Sequence, residues 1–410
     1  PLRLALGGLA HRALIRRDPI RTLALLMTGF SLSTLLSFWV AASLVIRAGR
    51  DPFSLESTST FATSLRLELW RELLYTPVLV LLPAIFAGAA FPAACDACSR
   101  GRADGARAVG LVGLVNGVGS TVGALAGAFG LVSIAGIQGA LIACALLAAL
   151  CASGLLLTRI PWRTPLRVAF GLVPSIAVAA LASSLPHALP RSMLHRVLGE
   201  RHWDLVHYEE GRTGTVSVIR NRINGEKQLV MNAVNEVTTR LVHDQSFKIL
   251  GHLGPLLHPA PKRVVMICLG AGMSAGAVAT YPIERLDVID LSSAIPRGAR
   301  LFAQENNGVL DDPVMRLHIG DGRQFLLNSP GGYDVAVVDS THPKSVDSWI
   351  LYTREFFELL RDRLSPGGIV VQWLPLHGMS ESEFKIVVRT FLEAFPAMTL
   401  WVNAGFETYG

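Results

Sequence analysis

The sequence predicts a chain of two halves: an α-helical membrane domain over residues 1–190, then an α/β domain with a doubly wound sheet over residues 200–410. Three observations predict it. The first half holds long stretches without a single charged side chain. The second half alternates short apolar strands with helical patterns, as a parallel sheet covered on both faces does. The first of those strands runs into a glycine turn, "VVMICLGAGMSAGAVAT", from Val264 to Thr280.

Hydrophobic residues make up 51% of the 410 residues and charged residues only 17%, and the excess sits in the first half. Leu23–Ile46, Leu73–Cys95 and Ala108–Thr158 are uncharged, and Val168–Pro190 carries only His187. A membrane crossing needs about 20 apolar residues. These stretches therefore predict one, one, two and one spans, four or five in all. The fifth is Val168–Leu185, which contains Pro174 and would equally suit a re-entrant or interfacial segment, giving four spans. Arg12, Arg16, Arg17 and Arg21 precede the first span, and Arg159, Arg163 and Arg167 follow the fourth. Both flanks prefer the cytoplasmic side. With four spans the second half is cytoplasmic as well. In "NGVGSTVGALAGAFG", Gly119, Gly123 and Gly127 lie four apart, a spacing that lets helices pack closely in lipid.

The net charge of +6 is mostly arginine beside the spans. No basic patch interleaved with aromatics suggests nucleic acid. The five cysteines form no disulfide framework, and Cys95 and Cys98 are a lone pair without a second half, so no metal site is expected. The His252 and His258 pair is too dispersed for one. The chain starts at Pro1 and stops soon after a strand-like "MTLWVN", so a fragment is expected.

In the second half, "TGTVSVIRNRINGEKQLVMN" alternates around Asn224-Gly225 and reads as a β-hairpin. A helix-like stretch, Asn235–Leu257, follows. Strands are expected at Arg263–Leu269, Arg285–Ile289, Val314–Ile319, Tyr333–Val338 and Gly368–Trp373.

Four strand tips carry the chemistry. Gly270-Ala271-Gly272-Met273-Ser274-Ala275 fits G-x-G-x-x-A, which serves dinucleotides and adenosyl-sulfonium ligands alike. A plain structural turn is the alternative. Asp290 closes the second strand in "LDVIDLS", where a carboxylate can accept both ribose hydroxyls of an adenosine. A solvated loop aspartate is its rival. Gly320-Asp321-Gly322 ends the third strand. An acid there can take the exocyclic amine of an adenine, and the glycines leave room for the ring, which tilts the reading toward an adenosyl-sulfonium ligand. An ordinary Asp-Gly turn competes. Asp339 follows the fourth strand in "YDVAVVDSTHP", at the edge where open α/β sheets place ligands. It could orient an attacking amine and take its proton; a helix cap is the plainer use.

With those elements in one order, the second half, from about Tyr208 to Gly410, resembles the spermidine synthases, the polyamine aminopropyltransferases. The whole chain resembles their membrane-fused bacterial relatives, more loosely over the first half through "FPAAC" and "NGVGSTVGALAGAFG". The soluble motifs are "INGEKQ", "VHD", "CLGAGM", "VIDLS", "GDGRQF", "VVDSTHP", "LYTREFF" and "LSPGGIVVQW". The resemblance implies a Rossmann-like, class I methyltransferase-like sheet with an N-terminal β-hairpin layer. It implies decarboxylated S-adenosylmethionine as co-substrate, no metal, and a small-molecule amine as acceptor. It places the protein in a bacterial inner membrane, in contact with the bilayer and not with nucleic acid, and a homodimer is among its expectations. Carried over position by position, Gln228, His243, Asp290 and Asp321 would contact the co-substrate, within a surface that includes Gly270, Gly272 and Gly322. Asp339 would be the catalytic acid/base group, and Tyr352 and Gln372 fall near the acceptor.

Three departures matter. The family's glycine loop usually carries an aspartate where this chain has Ala271. Its second aspartate after the catalytic strand is His342 here, and its pocket tyrosine is Val242. Each change removes a group that would bind a cationic amine, at a typical cost of about 1.5–3 kcal/mol per charge-assisted hydrogen bond. The adenosyl pocket is expected to be intact and the acceptor to differ from, or extend beyond, putrescine. His377 is expected to be a loop residue. Two other readings stay open: a methyltransferase on the same sheet, and an inactive domain sensing a nucleoside or polyamine for a membrane transporter.

Overall fold

The computed structural model describes residues 18–48, 61–99, 105–158, 165–185, 189–199, 202–232, 234–340, 343, 348–376 and 379–402. The chain divides into two compact units, the larger part of the second beginning at Leu198.

The first unit is helical: α1 (Pro19–Ala48), α2 (Phe61–Ser99), α3 (Gly105–Ala126), α4 (Val132–Leu157), α5 (Pro165–Ser184) and α6 (Leu189–Gly199). A single π-turn, Gly127–Leu131, joins α3 to α4. Three described stretches are long and apolar enough to cross a membrane: Pro19–Val40, Val80–Ser99 and Gly105–Leu157. The last has 53 residues. At 1.5 Å per residue a straight helix of that length would be about 80 Å long, far more than the ~30 Å hydrocarbon layer. It does not run straight, because Gly136 breaks it with φ 69° and ψ 179°. Val168–Ser184 is a shorter apolar helix. Large apolar side chains such as Leu114, Val122, Phe129 and Ile134 are exposed along α3 and α4. Gly119, Gly123 and Gly127 make no close approach to another helix among the described residues, since a Cβ on any of them would meet nothing within 4 Å; α4 and α5 meet instead through Ser153 and Ser175, whose hydroxyls bond at 2.8 Å.

The second unit opens with an antiparallel meander: β1 (Trp203–Gly211), β2 (Gly214–Asn221), β3 (Lys227–Met231) and β4 (Val234–Thr238). The expected hairpin is thus the centre of a four-stranded sheet. The helix expected from Asn235 starts later. β4 occupies its first residues, where β-branched Val237 and Thr238 favour a pleated surface. The helix itself is α7 (Leu241–Leu257).

The rest alternates β5 (Arg263–Ile267), α8 (Met273–Ala279), β6 (Arg285–Asp290), α9 (Ile295–Ala299), β7 (Met315–Ile319), α10 (Gly322–Asn328), β8 (Tyr333–Val338), α11 (Arg354–Arg363), β9 (Leu364–Gln372) and α12 (Glu381–Ala394). The five strands are all parallel, in the order β7-β6-β5-β8-β9. Parallel strands covered on both faces read as unbroken apolar runs. In β5, Val264 and Met266 enter the core on one face, and Val265 and Ile267 the core on the other. The meander packs on the first face, where Val216, Val218 and Leu229 approach α9 at Gly298. Lys227 reinforces that contact. Its Nζ donates to Glu305 at 2.8 Å and to the Leu301 carbonyl at 2.9 Å, and lies over the Phe302 ring.

The chain leaves β5 toward β6 and β7 on one side, and β8 and β9 lie on the other. The switch in direction therefore falls between β5 and β8. In open α/β sheets that crevice is the ligand-binding position.

Candidate active site

The glycine turn follows β5. Cys268, Gly270 and Gly272 all adopt positive φ, at 73°, 54° and 82°. Glycine takes this conformation freely, whereas a side chain such as that of Cys268 is strained in it. The turn is held from behind by Asn306, which is fully buried. Its Nδ2 donates to the carbonyls of Ala271 at 2.8 Å and Ala299 at 3.0 Å. A Cβ on Gly276 would lie 2.2 Å from the Asn306 carbonyl oxygen, so α8 packs there only as glycine. Sequence reasoning missed Asn306. Nothing in its local pattern marks it, because its partners lie 35 and 7 residues away.

Asp290 ends β6 directly beside this turn. Its Oδ2 accepts the Leu269 N–H at 2.9 Å and its Oδ1 the Ser292 N–H at 2.9 Å. Burial raises its pKa, and these backbone hydrogen bonds oppose the rise. Asp290 and Gly270 therefore do converge, with the carboxylate bracing the turn.

The tip of β7 adjoins: the Gly320 N–H donates to the Asp290 carbonyl at 2.9 Å. Asp321 itself is exposed and caps α10, accepting the Gln324 N–H at 2.7 Å. Gly322 is needed for packing, since a Cβ there would lie 2.8 Å from Ile267 Cγ2.

Asp339 follows β8, on the other side of β5 from Asp290. Its N–H donates to the Ile267 carbonyl at 3.0 Å, which fixes the backbone at the strand tip. Its Oδ2 accepts the hydroxyl of buried Ser274, in the first turn of α8, at 2.7 Å. No described residue donates to its Oδ1. The residue keeps partial exposure, but packing around the carboxyl raises its pKa to about 6, against the pull of Ser274. A carboxylate so poised can accept a proton near neutral pH.

Beyond Asp339, Gln372 and Tyr352 converge on the Trp373 carbonyl. Gln372 Nε2 donates to the Trp373 carbonyl at 3.0 Å and reaches Ser340 Oγ at 3.4 Å. The Tyr352 hydroxyl donates to the Trp373 carbonyl at 3.2 Å. Tyr352 is buried, which raises its pKa. His342 and His377 lie outside the described residues.

Gln228 and His243 each neighbour Glu226 rather than the strand tips. Gln228 Nε2 donates to Glu226 Oε1 at 2.9 Å. His243, in the first turn of α7, has its pKa lowered by burial and by Arg240, while Glu226 opposes. His243, Glu226 and Arg240 line an open cleft of about 480 Å³ with Asn224, Asp244 and Glu305. Asp290, Asp321 and Asp339 are not among its lining residues.

Sequence reasoning also missed Glu236, on β4. It is half-buried, and its pKa is raised to about 7 by burial and by the charge of Asp339. Burial raises the Cys268 thiol, and the charges of Asp290, Asp339 and Glu236 add to the rise. Three carboxyl groups thus act on the tip of β5. Among the described residues none of the ion pairs involves any of them. Asp290 is buried with both oxygens engaged by backbone, so Glu236 and Asp339 are the two left to face a cationic ligand.

Residues 245–402 match the spermine/spermidine synthase domain. A spermidine synthase of Dictyostelium discoideum is 29% identical over 167 residues, 40% of this chain and 58% of that protein. A polyamine aminopropyltransferase of Nitrosomonas europaea is 33% identical over 166 residues, 37% of this chain and 51% of that protein. The chain spans about half the length of the curated relatives it matches. A spermidine synthase solved with the transition-state analogue AdoDATO is similar at 21% identity and a TM-score of 0.44, over 47% of this chain and 66% of that one.

Proposed function

We propose that the second unit, which carries a spermine/spermidine synthase domain over residues 245–402, is an aminopropyltransferase. It transfers the aminopropyl group of decarboxylated S-adenosylmethionine to an amine and releases methylthioadenosine. The observation that carries the reading is Asp339: a carboxyl group at the switch point of the sheet, raised to about 6, with Oδ2 held by Ser274.

The residues fit the co-substrate. A Cβ on Gly270 would meet only Val237 of β4, in ordinary contact at 3.5 Å, so nothing else crowds the turn there. Asp290 and Asp321 stand at adjacent strand tips, where a carboxylate can take the ribose hydroxyls and the adenine amine, and the resemblance makes both co-substrate contacts. His243 would approach from the cleft beside the meander, and Gln228 stands behind it on Glu226, which lines that cleft. The acidic surface at the β5 tip suits both the sulfonium and the ammonium of the co-substrate.

Free alkylamines are protonated at neutral pH, with a pKa of about 10.4 for a lysine-like amine. The acceptor must lose a proton to become a nucleophile. Its nitrogen attacks the propyl carbon bonded to sulfur. That C–S bond breaks, its electron pair stays on sulfur, and a C–N bond forms. The proton leaves nitrogen for Asp339 and passes to solvent. Ser274 is a positioning residue, fixing one carboxylate oxygen so that Oδ1 faces the acceptor.

We assign the helical unit to a bilayer. Its three long apolar stretches and exposed apolar side chains support this, and the arginine flanks favour a cytoplasmic second unit. Washed membranes carrying the full chain are the test. Given decarboxylated S-adenosylmethionine and a panel of amines, they are expected to release methylthioadenosine. Formation of S-adenosylhomocysteine from S-adenosylmethionine would overturn the transferase reading. Activity confined to the soluble fraction would overturn the anchoring.

A further inference from the structure

Glu236 occupies an irregular point in its sheet. β4 pairs with β3 through Leu229↔Val237 and Val230↔Asn235, so two consecutive residues of β3 face three of β4. Glu236 is the extra residue of a β-bulge. Bulges re-aim side chains and are over-represented beside active sites. Its neighbour Val237 is buried in the core and meets the glycine turn at Gly270. That contact places β4 against the tip of β5, and the electrostatic influence of Glu236 on Cys268 and of Asp339 on Glu236 agrees with it.

Among the described residues Glu236 has no hydrogen bond and no cation. A half-buried carboxylate beside another carboxylate is costly to keep charged without a counter-ion. The described residues offer no group of three or more potential metal ligands, so an organic cation is the better match. Ala271, buried beside the turn, lacks the charge that the resemblance expects there.

We propose that Glu236 is the second carboxylate of the acceptor subsite: it holds one protonated amino group of a di- or polyamine while another amino group of the same molecule reacts beside Asp339. The inference rests on the aminopropyl-transfer reading and deepens it. The acceptor class becomes amines with at least two amino groups, and selectivity between them and monoamines comes from the meander, not from the glycine loop.

The test uses the full chain in detergent with methylthioadenosine bound. Putrescine, spermidine and the monoamine butylamine serve as calorimetric probes. Glu236→Gln is expected to weaken putrescine and spermidine about ten- to hundredfold, the range for losing a charge-assisted hydrogen bond. Butylamine and methylthioadenosine affinities should stay within about twofold, and Glu236→Asp should retain part of the polyamine affinity. Unchanged polyamine affinity in Glu236→Gln overturns the proposal. So does an equal loss for butylamine, or a loss of methylthioadenosine, since either would mark a merely structural role. The two readings fail separately. Polyamine binding that depends on Glu236 without methylthioadenosine release sinks the transfer chemistry and keeps the subsite. Turnover with an unaltered acceptor KM in Glu236→Gln does the reverse.

Discussion

Asp290 and Asp339 flank the same strand, one at the tip of β6 and the other at the tip of β8, yet their oxygens are differently engaged. Both oxygens of Asp290 accept backbone N–H groups, from Leu269 and Ser292. Asp339 accepts one hydroxyl, on Oδ2. Both are raised by burial, but only at Asp290 do backbone donors counter it. The difference teaches that the role of a strand-tip carboxylate is set by what already binds its oxygens. Asp290 holds the turn in shape. Asp339 has an oxygen left for a proton.

The sharpest way to break this contrast is to neutralise each group in turn. Asp339→Asn removes the proton acceptor and is expected to lower turnover by about 10²–10⁴-fold. Methylthioadenosine affinity, read by calorimetry, should be unchanged. Asp290→Asn places an amide donor against backbone donors, so it should lose adenosyl binding and about 1–3 kcal/mol of stability in thermal unfolding. If Asp339→Asn instead loses nucleoside binding and keeps turnover, the two roles are reversed.

A smaller effect is expected from pH. The folded-state values of Asp339 and Glu236 lie above their ordinary ones, at about 6 against 3.8 and about 7 against 4.5. Between about pH 4 and 7 the folded state therefore holds protons that the unfolded state has released. These two groups make stability fall as pH rises through that window, and level off above it. Thermal unfolding from pH 4 to 8 should show the decline, and Glu236→Gln should flatten it. In kcat/KM the sign is opposite, because Asp339 must be deprotonated: activity should rise with pH through about 6. Glu236→Gln should leave that limb near pH 6, since Glu236, raised to about 7, is already largely protonated there.

The smallest effect belongs to Asp321. As a helix cap alone, Asp321→Ala should cost about 1 kcal/mol in thermal unfolding. A fall in methylthioadenosine affinity beyond that would add the adenine contact. Unaltered affinity would leave Asp321 as a cap.

The parallel sheet was legible because its strands are buried on both faces and read as plain apolar runs between helical patterns. Asp290 and Asp339 were legible because strand tips carry ligands in such sheets. Asn306 was not, since its clamp depends on contacts far along the chain. β1 escaped notice, and β4 was read as helix, because Asn235–Leu257 gives a helical pattern whose first turn is overridden by pairing with β3. Glu236 was hidden for the same reason. A bulge is a property of two strands in register, and neither strand records it alone. Ser274 was visible as part of the glycine motif, but its use as the partner of Asp339 was not.

The bulge also bears on how such a chain could change. Because Glu236 falls outside the ladder count, deleting that one residue would leave Asn235 and Val237 adjacent and their pairings to β3 intact. Acceptor preference would then rest on a removable unit, open to gain or loss in a single step without reshaping the scaffold that bears it.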